Sequence, residues 1–144
     1  MIVPLPDLAA TAGLGARIAA LLQSGDLVAL SGDLGAGKTT LARAILTGLG
    51  VAEHVPSPSF TLAQAYDTAR LAVLHVDLYR LKNPSELAEL GLEEALENGA
   101  VLVEWPERAD LPASLRIDLD GEGANRHATL QGSARWRAME SAHV

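Results

Sequence analysis

Apolar positions follow two periods along this chain. From Asp7 onward, Leu8, Thr11/Ala12, Leu14, Ile18 and Leu21/Leu22 recur at helical spacing, with Asp7 placed as N-cap and Gly25 just past the end. This predicts one amphipathic helix, weakened by Gly13 and Gly15. Leu27 to Ser31 (LVALS) is a short apolar run without polar alternation, as expected of a strand covered on both faces of a parallel sheet. A second helical stripe follows Lys38, through Leu41, Ala44, Ile45 and Leu49, with Gly48 and Gly50 as stop signals.

The middle of the chain reads as loop, edge strand, strand, crossover and strand. Two prolines deny Val55 to Phe60 a helical or central-strand role, so this segment is expected to be an exposed loop of fixed shape. The TLAQAY segment beginning at Thr61 alternates weakly, as an edge strand would. Leu71 to Asp77 and Ala100 to Glu104 are apolar runs that each end on a carboxylate. Between them Asn83, Pro84 and Glu86 form a capping-box-like start to a helix that breaks near Gly91, a crossover suited to parallel strands. Further on, Leu115, Ile117 and Leu119 alternate, a polar DGEGAN turn follows, and His127 to Gln131 return as a strand. The expected organisation is a single domain over residues 1–133 with a loosely held C-terminal tail over 134–144.

Composition narrows the function classes. The 144 residues suffice for one core, and 49% hydrophobic content with a mean hydropathy of +0.17 argues against a disordered chain. Eleven Lys and Arg against eighteen Asp and Glu give a net charge of −7, the wrong sign for unaided binding to a phosphate backbone. Without cysteine there is no disulfide scaffold, thiol nucleophile, Cys-ligated zinc or iron–sulfur cluster. No apolar stretch approaches the roughly 20 residues of a bilayer span. The N-terminal MIVPLPD also lacks the pattern of a signal peptide, so a soluble, cytoplasmic protein is expected.

The strongest chemical signal is G-x-x-x-x-G-K-[ST], matched by Gly32, Gly35, Gly37, Lys38 and Thr39 between the LVALS strand and the following helix. Backbone N–H groups of Asp33, Leu34, Gly35, Ala36 and Gly37 would curl around a β-phosphate, where side chains at the glycine positions would block the approach. Lys38 would reach the β- and γ-phosphates and the Thr39 hydroxyl would ligate Mg²⁺, with Thr40 as a further phosphate contact. Such a loop needs carboxylates on neighbouring strands to hold the metal and orient water, and Asp77 and Glu104 qualify. Spacing does not say which does which. Thr61 is a candidate second hydroxyl near the γ-phosphate, and Arg80 a candidate for stabilising charge in the transition state.

Asp118 to Gly121 spell D-x-x-G, but they lie far beyond the loop and no N-K-x-D accompanies them, so a hairpin turn is the better reading. His54, His75, His127 and His143 have no metal-ligand spacing, and His75, inside a strand, reads as a packed or capping histidine.

In family order the chain carries LGAR from Leu14, GDLGAGKTT from Gly32, SPSFTL from Ser57, HVDLYRL from His75, LGLEEAL from Leu90 and VEWPE from Val103. Together these pieces resemble the bacterial TsaE (YjeE) proteins, ATPases needed to form threonylcarbamoyladenosine in tRNA. The resemblance implies an α/β fold, the P-loop NTPase-like three-layer sandwich, with a mainly parallel central sheet flanked by helices and a small antiparallel portion. It implies ATP and Mg²⁺ as ligands of Lys38 and Thr39, an essential Asp77, Glu104 as a Mg²⁺-linked carboxylate, and Trp105 beside the nucleotide. It also implies TsaB and TsaD as partners, with tRNA reached only through that complex. Ser59 stands where the family usually has threonine, and retains the hydroxyl. A small-molecule kinase or a nucleotide-sensing binding module would share the same loop.

Overall fold

A computed structural model describes residues 1–33, 35–52 and 63–137 of the chain. Eleven elements build it: β1 (Ile2–Pro4), α1 (Leu8–Leu21), β2 (Leu27–Ser31), α2 (Lys38–Gly48), β3 (Ala63–Asp67), β4 (Ala72–Asp77), α3 (Pro84–Glu89), α4 (Leu92–Asn98), β5 (Gly99–Glu104), β6 (Leu115–Asp120) and β7 (His127–Gly132). The seven strands form one sheet in the order β1-β7-β6-β2-β5-β4-β3. The four central strands, β6, β2, β5 and β4, run parallel. Antiparallel strands finish both edges, β3 on one side and β7 with β1 on the other.

The period-two pattern of the strands divides the core between two faces. Val28 and Leu30 of β2 pack with Leu14, Ile18, Leu41 and Ile45 of α1 and α2. Leu27 and Ala29 point the other way, with Val101 and Val103 of β5, onto Leu87, Leu92 and Leu96 of α3 and α4. Helices on both faces of a sheet with a parallel centre make the three-layer α/β sandwich expected from the sequence.

Local signals place the helices. The Asp7 side chain caps α1 by accepting from the Ala10 N–H at 2.9 Å, and Asn83 caps α3 through Glu86 N–H. The break between α3 and α4 falls at Gly91, which takes φ +68. Gly15, a weak point for an isolated helix, lies where α1 crosses α2; a Cβ there would collide with Ala44. The glycine costs helix propensity and permits the close approach of the two helices.

Three features depart from the sequence reading. Ile2–Pro4 forms a short edge strand that pairs with β7, too brief for its alternation to register and ending on a proline that an edge tolerates. Leu8, counted in the apolar stripe of α1, is 72% exposed at the first turn of the helix. The expected loose tail is packed over its first four residues: Ala134–Arg137 form a 3₁₀ turn, Trp136 is buried, and Arg135 makes two contacts with the Asp26 carboxylate at 2.6 and 3.0 Å. Residues 138–144 lie outside the described residues. Among the described residues no helix is long and apolar enough to cross a membrane.

Candidate functional site

The loop between β2 and α2 leaves the carboxyl end of a central strand, the place where parallel sheets present ligand sites. Gly35 and Gly37 take φ +81 and +104, backbone that only glycine adopts without strain, and these two residues shape the loop. Gly37 precedes α2 and has no side chain with which to cap it, so the first N–H groups of an eleven-residue helix face the loop without a side-chain acceptor. Unsatisfied donors and the positive end of a helix dipole together suit an anion.

Strand order brings the carboxylates to this loop. β5 lies directly beside β2, with Glu104 in register with Leu30, and β4 lies beside β5, with Asp77 in register with Glu104. The Thr39 hydroxyl donates to Glu104 Oε1 at 2.7 Å. The other Glu104 oxygen, Oε2, meets His75 Nε2 at 2.7 Å, so the carboxylate is held at both ends. Asp77 is buried at the same sheet end and accepts the Tyr79 N–H at 2.9 Å.

Lys38 is buried, and its ammonium donates to the carbonyls of Gly32 and Asp33 at 2.5 and 2.9 Å while lying 4.0 Å from the centre of the Trp105 ring. Burial lowers its pKa from the ordinary 10.5, and the charges of Glu104, Glu107, Asp77 and Asp33 work against that shift. Trp105 has φ +59, a left-handed backbone rare for a residue with a large side chain, and its ring also meets Tyr79 at 4.9 Å between centroids. Strain of this kind costs about 1–3 kcal/mol and persists where the surroundings hold it. Here the strained residue follows Glu104 directly and covers the loop lysine.

These groups surround a cavity of about 270 Å³ lined by Gly35, Gly37, Lys38, Thr39, Thr40, Asp77, Glu104, Trp105 and Arg126. Asp33 and Ala36 shape its loop: Asp33 is exposed with its carbonyl on Lys38, and Ala36 N–H donates to that same carbonyl. Leu34 and Thr61 lie outside the described residues, as do His54 and His143. Arg80 is exposed and does not line the cavity.

The cation at the site that sequence reading passed over is Arg126, which donates to the Gly35 carbonyl at 3.3 Å. Its Nε is buried and has no hydrogen-bond partner among the described residues. No motif marks it; it precedes β7 and reaches the loop only because β7 folds back along β6. Arg126 also borders a second cavity of about 230 Å³ that extends from Gly37 and Thr40 past Leu5, Leu8 and Ala124. Asp118 and Gly121 belong to β6 and the turn after it, the hairpin expected of the D-x-x-G lookalike.

The donor set fits a small hard cation. Thr39, Glu104 and Asp77 offer oxygen only, and among the described residues no group of three His, Asp or Glu side chains could cage an ion. Mg²⁺ characteristically takes one or two carboxylates and completes its shell with phosphate oxygens and water.

Fold and site together define a three-layer α/β protein with a glycine-shaped strand-to-helix loop at the carboxyl end of its parallel strands. Residues 5–129 match the family model described as "Threonylcarbamoyl adenosine biosynthesis protein TsaE". The chain belongs to the TsaE family. Similar relatives include the tRNA threonylcarbamoyladenosine biosynthesis protein TsaE of Streptomyces coelicolor, 42% identical over 88% of this chain and 94% of that protein. The protein of the same name from Rickettsia felis is 46% identical over 67% of this chain and 57% of its own length, so the chain spans little more than half of that relative. Among solved structures, Bacillus subtilis YdiB superposes with a TM-score of 0.75 at 27% identity, covering 99% of this chain and 92% of that one.

Proposed function

We propose that this protein is the ATP-hydrolysing subunit of tRNA threonylcarbamoyladenosine biosynthesis, acting with TsaB and TsaD. Membership of the TsaE family supports the pathway. The observation that carries the activity is the convergence of Lys38, Thr39, Asp77 and Glu104 on one cavity at the phosphate loop.

In this reading the loop N–H groups and the Lys38 ammonium bind the β- and γ-phosphates, with Lys38 leaving the carbonyls of Gly32 and Asp33 for the phosphate oxygens. Thr39 and Glu104, which meet at 2.7 Å, would hold Mg²⁺, with Asp77 lining the same cavity. A magnesium ion held there would supply neutralisation of the phosphate charge. Asp77 orients the attacking water for in-line displacement, giving ADP and phosphate. Arg126, with its unpartnered Nε, binds the nucleotide between the two cavities, and the second cavity receives its nucleoside end. Trp105 covers the phosphates and excludes water from one side. tRNA is reached through the partners, which supply the basic surface that a chain of net charge −7 lacks, and the activity is cytoplasmic as its tRNA substrate is.

The test is tRNA threonylcarbamoylation over many turnovers by TsaB, TsaD and the enzyme that forms threonylcarbamoyl-adenylate, with this protein, without it, and with Lys38→Ala. Sustained modification and phosphate release with the wild type alone are expected. Unchanged turnover on omission would overturn the proposed role, while ADP binding by the isolated chain would still preserve the phosphate-loop reading.

A further inference from the structure

We propose that His75 is a positioning residue that fixes the Glu104 carboxylate for metal binding, an inference that rests on the nucleotide-and-metal reading above. His75 sits in β4, and its side chain is fully buried. On the same face, Val73 of its own strand and Leu102 opposite it on β5 both belong to the core beneath α1 and α2, so an apolar residue would continue the pattern. A polar ring in that place loses its water and must find a partner.

The partner is Glu104. His75 pairs in register with Leu102, which puts Glu104 one diagonal step away on the same face of the sheet. An ionised carboxylate only accepts, so the ring nitrogen facing it, Nε2, carries the proton and donates to Oε2 at 2.7 Å. The other nitrogen, Nδ1, is buried and has no hydrogen-bond partner among the described residues. The contact with Glu104 is therefore the polar interaction that accounts for a histidine at this position.

Its effect follows from carboxylate geometry. The terminal torsion of glutamate is broad and roughly two-fold, so an unsupported carboxylate rotates among many orientations. With Oε2 held by His75 and Oε1 directed to Thr39, the plane of the carboxylate is set, and Oε1 is aimed at the hydroxyl that shares the metal site. Partners of this kind behind a metal ligand commonly govern metal affinity by about 10–100-fold. His75 does not line the loop cavity; it acts through Glu104.

The experiment measures Mn²⁺ binding by the EPR signal of free Mn²⁺, with saturating ADP, in the wild type and in His75→Leu, His75→Gln and His75→Asn. ADP affinity in EDTA, read calorimetrically, and the melting temperature accompany each variant. Glutamine places an amide N–H near the reach of Nε2, whereas asparagine falls short. Expected are at least tenfold weaker Mn²⁺ binding in His75→Leu and His75→Asn, near wild-type binding in His75→Gln, and metal-free ADP affinity within about twofold throughout. Should His75→Leu fail to fold, the contrast between Gln and Asn decides. Unaltered Mn²⁺ binding in His75→Leu or His75→Asn, or equal loss in Gln and Asn, overturns the positioning role alone. No ADP-dependent Mn²⁺ uptake by the wild type overturns the underlying reading as well.

Discussion

Lys38 concentrates the residue-scale chemistry, because one ammonium contacts two loop carbonyls and an indole face before any phosphate arrives. Burial weakens its hold on its proton in the ligand-free protein, whereas a bound phosphate favours the charged form. Nucleotide affinity is therefore flat below the pKa of free Lys38 and falls as pH rises through it, at a value under the ordinary 10.5. Titrating ADP binding from roughly pH 7 to 10 should display that fall in the wild type. In Lys38→Ala the affinity should be about tenfold to a hundredfold weaker and lack the fall, since a charge-assisted hydrogen bond is worth about 1.5–3 kcal/mol. A wild-type affinity that held constant or increased with pH would contradict it.

At the scale of elements, α1 and α2 depend on contacts that neither helix contains. The two glycines in α1 separate the local from the tertiary contribution. Gly13 has open space where a Cβ would go, while Gly15 lies against Ala44. Gly13→Ala should raise stability by about 0.4–1 kcal/mol by restricting the unfolded chain. Gly15→Ala should lower it by about 1–3 kcal/mol through overpacking. Denaturant melts of the two variants check this, and equal shifts of the same sign would refute it. The C-terminal carbonyls of α1 have no basic residue in their own last turn. They are met from elsewhere in the chain, by Arg70 on Ala19 and Leu22 and by Arg135 on Leu21.

For the molecule as a whole, residues past β7 belong to the packed body. Trp136 closes the end of the core over Gly132, and Arg135 pairs with the buried Asp26 carboxylate. Trp136→Ala should cost about 3–5 kcal/mol, as for other fully buried aromatic side chains. Arg135→Ala should cost about 1–3 kcal/mol, because among the described residues Asp26 then keeps the Gln23 N–H alone, and the pair is partly exposed. Chemical denaturation separates the two values, and wild-type stability in both would return these residues to a loose tail. The net charge of −7 carries a prediction of its own: the isolated chain should retain no tRNA in a filter-binding assay at physiological salt. Saturable retention there would locate a binding surface on this chain.

The sequence by itself determined the local elements and the loop. Glycines at fixed spacing, a lysine and a threonine between an apolar run and a helical stripe specify a phosphate cradle because the constraint is confined to eight consecutive residues. Strands ending on Asp77 and Glu104 were legible for the same reason, since periodicity is a property of neighbouring residues. Tertiary structure decided which strand lies beside which. Insertion of β5 between β2 and β4 sets Glu104 against Thr39, 65 positions away, and against His75, 29 positions away. The return of β7 along β6 delivers Arg126 to the loop, and closure of the core buries Trp136. Strand adjacency depends on hydrogen bonds and packing between distant segments, and no pattern within one segment encodes it.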